Sequence, residues 1–327
     1  MKALKEAVRD YKEVQQLTKK QKDDGLWGGN MLGTEANKGL GIREVGTVAR
    51  YRRLIELGVP LTARPFRLAN RTFYRILSRD PDPALLFEHR KNAKGDIEYE
   101  EWARDFLREG VTAALAQGGQ AEDPRVRGAA KRTVNRVSAF VRSEFSESPI
   151  VKSGSKNVLA EEASPPTYFL MTTLAYMPEF CRERAGFVER LVEFVTSPRP
   201  DKSFSISVGT KTVKPTVHIL GDPLDLDKNG KPKDMPLALH WLEVLARLGA
   251  IDASTSAKSA LAYFLADVDE AGVWNPKGLR SVPKGSSSMT DFAFPLESGS
   301  AADQRKSDVT FRLALIAKLA GWDLTYT

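Results

Sequence analysis

The sequence predicts an all-α protein, an array of helical hairpins interrupted by one small β-hairpin. Three observations predict it. Apolar residues recur at spacings of three and four through most of the chain, the period of an amphipathic helix. The helical runs stop at glycines and restart at prolines, as helix ends and first turns do. Three helix ends also resemble one another: Tyr51–Gly58, Trp241–Gly249 and Leu315–Trp322. Such self-similarity marks an internal repeat, and hairpins of this kind bury their apolar faces by stacking on neighbours.

The elements follow in order. Leu4, Val8, Tyr11, Val14 and Leu17 predict a helix over 3–21, ended by Asp23-Asp24-Gly25 and followed by a glycine-rich loop from Gly25 to Gly41. Arg43 to Leu57 reads as a helix stopped by Gly58 and Pro60, and Pro65 opens the next, to Leu77. Arg79–Pro83 is a turn with a short helix after it, and 98–117 is a helix closed by Gly118-Gly119. Asp123-Pro124 has the form of an N-cap and first-turn proline, opening a helix to about Phe145. Ser146 to Ser164 reads as a loop or weak boundary, and Pro165–Met177 and Pro178–Val195 as two helices. Over 203–220 apolar and polar residues alternate around Gly209-Thr210, the signature of a β-hairpin. A turn-rich loop runs to Pro236, helices resume at 237–248 and 254–267, a Gly/Pro/Ser-rich stretch covers 271–300, and the final helix is 307–320.

The 327 residues suffice for one large domain or two ordinary ones; the reading is a single helical-repeat domain over 1–327 with a possible insertion at 200–235. With 42% hydrophobic and 28% charged residues, the composition is globular. The one cysteine, Cys181, excludes an intrachain disulfide framework and a thiolate zinc cluster. Met1–Glu6 is charged, without the apolar run of a signal peptide, and no window is long and apolar enough to span a membrane, so the expected location is cytoplasmic. The net charge of +7 permits an anionic partner, nucleic acid included, or simply a mixed solvated surface, because both signs are interleaved.

Two loops are related. Gln21–Trp27 has the form Q-x-x-x-G-x-W, and Val268–Trp274 ends in the same G-x-W with valine in place of glutamine. This resembles the QW repeat of squalene and terpene cyclases and of the wider α/α-toroid group that includes protein prenyltransferases. The resemblance covers 5–78, 237–275 and the last helix. It implies an α/α-toroid-like array of helical hairpins in which the Gln and Trp tie consecutive hairpins together. A HEAT-like or other helical array remains the alternative.

The catalytic residues of that group are not matched. The nearest approach to the cyclase D-x-D-D acid is Asp225-Leu226-Asp227-Lys228, with lysine fourth and in a Gly/Pro/Lys loop, so it reads as a solvated turn. Asp267–Glu270 reads as another surface turn. Asp23-Asp24 lacks the third acid of a magnesium–diphosphate cluster. Cys181, His89, His218 and His240 show no ligand spacing, so no metal and no cofactor is expected. Gly25–Gly41 lacks the order of a phosphate loop.

By analogy with toroids, the G-x-W loops lead to the cavity mouth. This would gather Trp27, Asn30, Arg43, Glu44, Trp274, Lys277, Arg280, Lys306 and Arg312 there. Helix N-termini and basic side chains favour anions, so the expected ligand has an apolar, isoprenoid-like body and an anionic group. The tryptophans are equally explained by packing between repeats. Three functions follow: a toroid-like binding or scaffold protein; an enzyme of that fold acting on an isoprenoid or carbohydrate; or a basic helical scaffold for nucleic acid or an acidic protein.

Overall fold

The computed structural model describes residues 2–33, 45–200, 202–277, 293, 294, 296 and 301–323. It is mostly helical, with two small antiparallel sheets. The contacts divide the chain into two compact units, Met1–Leu191 with Pro200–Leu220, and Val192–Arg199 with Gly221–Thr327. The stretch 200–235, read as one insertion, is thereby shared between them.

In the first unit, α1 (Lys2–Asp10) and α2 (Lys12–Lys20) replace the single helix expected over 3–21. The chain breaks at Tyr11, whose ψ of 125° is extended. The hairpin of α3 (Thr47–Glu56) and α4 (Arg64–Leu77) follows, then a 3-10 segment over Pro83–His89 and the short α5 (Arg90–Ala93). The 21-residue α6 (Ile97–Gln117) is the centre of the unit, packed by α3, α4, α7 (Pro124–Phe140) and α8 (Tyr168–Ala175). Its Gly110–Ala116 run is fully buried, and small residues let the neighbours approach closely. A Cβ on Gly110 would collide with the Leu32 side chain. Asp123 caps α7 as expected, accepting from Arg125 N, but α7 stops at Phe140 rather than near Phe145. The helix expected over Pro178–Val195 is two pieces, α9 (Pro178–Arg182) and α10 (Ala185–Thr196).

The first unit also carries the sheets. The expected hairpin is present as β3 (Ile206–Val208) and β4 (Lys211–Val213), turning at Gly209 with φ +53°. A second hairpin, β1 (Ile150–Ser153) and β2 (Lys156–Leu159), occupies the stretch read as loop. The two are joined where Leu159 N donates to Ser205 O and Ser205 N donates to Asn157 O.

The second unit contains α11 (Met235–Arg247), α12 (Thr255–Leu265) and α13 (Ala302–Leu319). α11 is buried over most of its length and packs on both of the others.

The related loops share a backbone. Lys22 N donates to Leu26 O and Gly25 N to Lys22 O; Asp269 N donates to Val273 O and Gly272 N to Asp269 O. Trp27 N donates to Thr47 Oγ1 at 3.1 Å and Trp274 N to Thr310 Oγ1 at 2.9 Å. A third copy occupies 227–232, where Asp227 N donates to Lys231 O and Gly230 N to Asp227 O, with Pro232 in the tryptophan position. Helices α3, α6, α11 and α13 end alike, each followed by a left-handed glycine: Gly58, Gly119, Gly249 and Gly321. A glycine takes that conformation without the strain a side chain brings.

Candidate functional site

The residues expected at a cavity mouth are mostly structural where they are described. Trp27 is buried, its indole donating to Leu17 O at 2.7 Å. Gln21 donates to Gly25 O and to Pro65 O, which ties its loop to the start of α4. Asn30 is buried and its carbonyl accepts from Thr47 N. The amides of Met31, Leu32 and Gly33 all donate to the Glu88 carboxylate. In the second unit Trp274 is buried and Lys277 exposed. Lys306 lies 3.6 Å from Asp303, while Arg312 is buried against Glu243 and the Ala293 carbonyl. Arg43, Glu44 and Arg280 lie outside the described residues.

The acidic loop is a turn. Asp227 is exposed, and the amides of Asn229 and Lys231 hold its carboxyl below the ordinary range. Asp225 pairs with Lys233 at 3.0 Å and Arg199 at 3.7 Å. With its carboxyl lowered and exposed, Asp227 is unsuited to protonating an alkene. Burial pushes the Cys181 thiol up to about 11, so it carries little thiolate at neutral pH. Among the described residues, no group of three or more His, Cys, Asp or Glu is placed to hold a metal, and no helix is long and apolar enough to cross a membrane.

A cleft of about 800 Å³ opens in the first unit, and the sequence reading did not find it. One wall is a stripe of α6: Glu98, Trp102, Asp105, Phe106 and Glu109. Spacings of three and four put these side chains on one helix face. The opposite wall is made by β1, β2, β3, the 160–167 loop and His218. Asp96 holds the walls in register. It caps α6 by accepting from Tyr99 N at 3.0 Å, and it also accepts from Thr210 N at 2.8 Å and Thr210 Oγ1 at 2.7 Å in the β3–β4 turn. One carboxylate thus fastens the hairpin to the helix start, and these donors hold its pKa down.

The cleft combines aromatic faces with carboxylates. Trp102 stacks on Phe106 at 5.0 Å and 16°, and His218 lies parallel to Phe106 at 6.3 Å. Four carboxylates, Glu98, Asp105, Glu109 and Glu161, face one guanidinium, Arg136. Buried Glu109 takes hydrogen bonds from Arg136 and, at 2.8 Å, from Thr167 Oγ1. Glu98 and Glu161 are exposed at the rim. None of the six described residues expected at a cavity mouth lines this cleft.

No family model, curated protein or solved structure matches the chain. The cleft therefore has to be read from its own chemistry.

His218 gives the cleft a pH dependence. Its Nδ1 is buried with no hydrogen-bond partner among the described residues, and burial, assisted by the Arg136 charge, pushes the imidazole down to about 4. The unfolded value is near 6.5. The unfolded chain thus binds the proton more readily, and stability present above pH 6.5 is lost as pH falls toward 4. Between pH 7 and pH 5 the wild type should lose about 1–2 kcal/mol through this group. Urea unfolding at both pH values checks it: His218→Phe should flatten that part of the slope, and an unchanged slope would rule out the assignment.

Proposed function

We propose that this chain is a binding protein built on a toroid-like array of helical hairpins, and that the α6 cleft of its first unit is the ligand site. The three equivalent turns and the glycine-ended helices support the toroid-like reading. The observation that carries the site is the α6 stripe, which presents aromatic faces and carboxylates together to an open cleft. From Glu98 to Glu109 the stripe runs roughly 17 Å at the α-helical rise, room for about five residues of extended chain. The excess of carboxylates favours a ligand bearing positive charge rather than the anion expected for the tryptophan loops. The best occupant is an extended, basic, partly apolar segment of a partner protein. Its apolar side chains would lie on Trp102 and its lysines or arginines against Glu98 and Glu161. Asp105 and Glu109 are tied up by arginines, which favours binding over catalysis. The single Cys181 is compatible with a cytoplasmic setting.

Calorimetric titration with an alternating lysine–leucine octapeptide tests the reading. Binding is expected, weakening with salt. Trp102→Ala should weaken it by about tenfold or more, as truncation of a central aromatic anchor does. Glu98→Gln with Glu161→Gln should weaken it less and reduce the salt dependence. Equal binding of a glutamate–leucine octapeptide, or no binding of either, would dismiss the cleft as a site for basic segments.

A further inference from the structure

A second, smaller groove of about 180 Å³ lies in the first unit where the end of α4 meets α6 and α7. Five arginines line it, Arg79, Arg108, Arg125, Arg132 and Arg136, with one carboxylate, Asp105. Along α7, Arg125, Arg132 and Arg136 share a stripe with Gly128 and Ala129. The small residues leave the floor open: a Cβ built on Gly128 meets nothing within 4 Å.

Pairing within the molecule is uneven. Arg108 is bonded to Asp105 at 2.6 Å, Arg125 to Asp123 at 2.8 Å, and Arg136 to Glu109. The guanidiniums of Arg79 and Arg132 make no hydrogen bond or ion pair among the described residues. Two positive charges therefore stand unbalanced on one groove. Burial and the neighbouring charges of Arg79 and Arg104 hold the half-buried Arg108 guanidinium below its usual value, against the pull of Asp105. Like charges in a small groove repel one another, and a bound anion would relieve that repulsion.

The backbone supplies an independent sign. Arg79 has φ +59°, in the left-handed region. It closes α4 as the glycines close the other helices, with Arg79 N donating to Ile76 O and Asp80 N to Arg75 O. At the ends of α3, α6, α11 and α13 that position is glycine. At α4 the strain of a side chain is accepted, and the result is a guanidinium at the rim of the groove.

We propose that this groove binds the dianionic phosphate of a phosphate monoester or of free phosphate, held by Arg79 and Arg132 with Arg108 and Arg136 behind them. Planar guanidinium forks match phosphate oxygens, and two unbalanced charges match one dianion. The groove is too small for a nucleic-acid duplex. The groove shares Asp105 and Arg136 with the α6 cleft, but the two guanidiniums on which the inference turns, Arg79 and Arg132, line the groove and not the cleft.

The experiment is calorimetry and 31P line broadening on the full chain with inorganic phosphate and with phenyl phosphate, against chloride at equal ionic strength. The variants are Arg79→Gly and Arg132→Gln, singly and together. Arg79→Gly keeps the backbone conformation without the strain, so it should fold at least as well as wild type, and lost binding cannot be put down to misfolding. Binding of both probes is expected, tighter at pH 7.5 than at pH 5.5 because the monoester dianion forms with a second pKa near 6 and the free-phosphate dianion somewhat higher. Each single variant should weaken it severalfold and the double variant about tenfold or more. Preference for phenyl phosphate would identify a monoester as the ligand, and equal binding would identify free phosphate. The proposal is overturned by an affinity that the double variant leaves unchanged. It is equally overturned if neither phosphate binds, including the case where a single-stranded oligonucleotide alone binds with steep salt dependence.

Discussion

Gly25→Ala should cost about 3 kcal/mol or more, whereas Gly272→Ala, in the equivalent turn, should cost about 1 kcal/mol. Both glycines are left-handed, at φ +86° and +73°, so each substitution carries the backbone strain of that region. The difference lies in what the new methyl would meet. At Gly25 its Cβ would sit 2.5 Å from the carbonyl carbon and oxygen of Leu68 and 2.7 Å from Ala69 N, all backbone of α4 that cannot yield without moving the helix. At Gly272 nothing lies within 4 Å. Gly230, in the third turn, is intermediate, with Ser259 O at 2.9 Å. The contacts are equivalent, since Leu68 is the tenth residue after Gly58 and Ser259 the tenth after Gly249. In both hairpins the turn glycine thus rests on the same place of the second helix. Denaturant unfolding of the three alanine variants should rank Gly25 above Gly230 above Gly272. Equal costs for Gly25 and Gly272 would mean that the turn does not bear on α4.

That comparison shows what was legible. The G-x-W turns were readable because left-handed glycine and a large aromatic at fixed spacing are local signals. The third copy, 227–232, was hidden because Pro232 replaces the tryptophan, leaving a motif of ordinary turn residues. The helix bounds at Gly58, Gly118 and Asp123 were likewise local. The end of α4 was placed correctly, but the left-handed Arg79 was not visible, since arginine gives no hint of positive φ. The β1–β2 hairpin was missed because its strands are four residues long and only Leu159 among them is buried, so no alternation marks them. The cleft was out of reach for a different reason. Glu98, Trp102, Asp105, Phe106 and Glu109 could be seen on one stripe of a helix, and aromatic residues among acids on that stripe were the available signal. What faces the stripe depends on Asp96 reaching Thr210, a contact far apart in sequence that periodicity does not encode. The tryptophan loops drew attention as a site because their residues are conspicuous; their described contacts instead tie turns to helices.

The same distinction between conspicuous and consequential applies to Arg312. Expected as a ligand-binding cation, it is buried in the second unit, with Nη1 2.7 Å from Glu243 Oε2 and Nη2 2.6 Å from Ala293 O. Arg247 approaches the other oxygen of Glu243 at 2.9 Å. Burial alone would raise the Glu243 carboxyl; the charges of Arg312 and Arg247 outweigh it and hold the group below its usual range. Glu243→Ala should therefore destabilise the protein by about 3–5 kcal/mol, because the buried guanidinium loses its carboxylate while still shielded from water. Arg312→Leu should fall in the same range, since it leaves the Glu243 charge buried with one of its two guanidinium partners gone and Arg247 beside it. The double replacement Glu243→Leu with Arg312→Leu should cost less than the two singles added together, because it removes both charges, and the shortfall measures their coupling. The pH sign follows from the depressed carboxyl: its contribution is present above the unfolded value near 4.5 and is lost as pH falls through the folded one. Additive single and double costs in denaturant unfolding would show that Glu243 and Arg312 act independently, and would return Arg312 to consideration as a group held for something outside the fold.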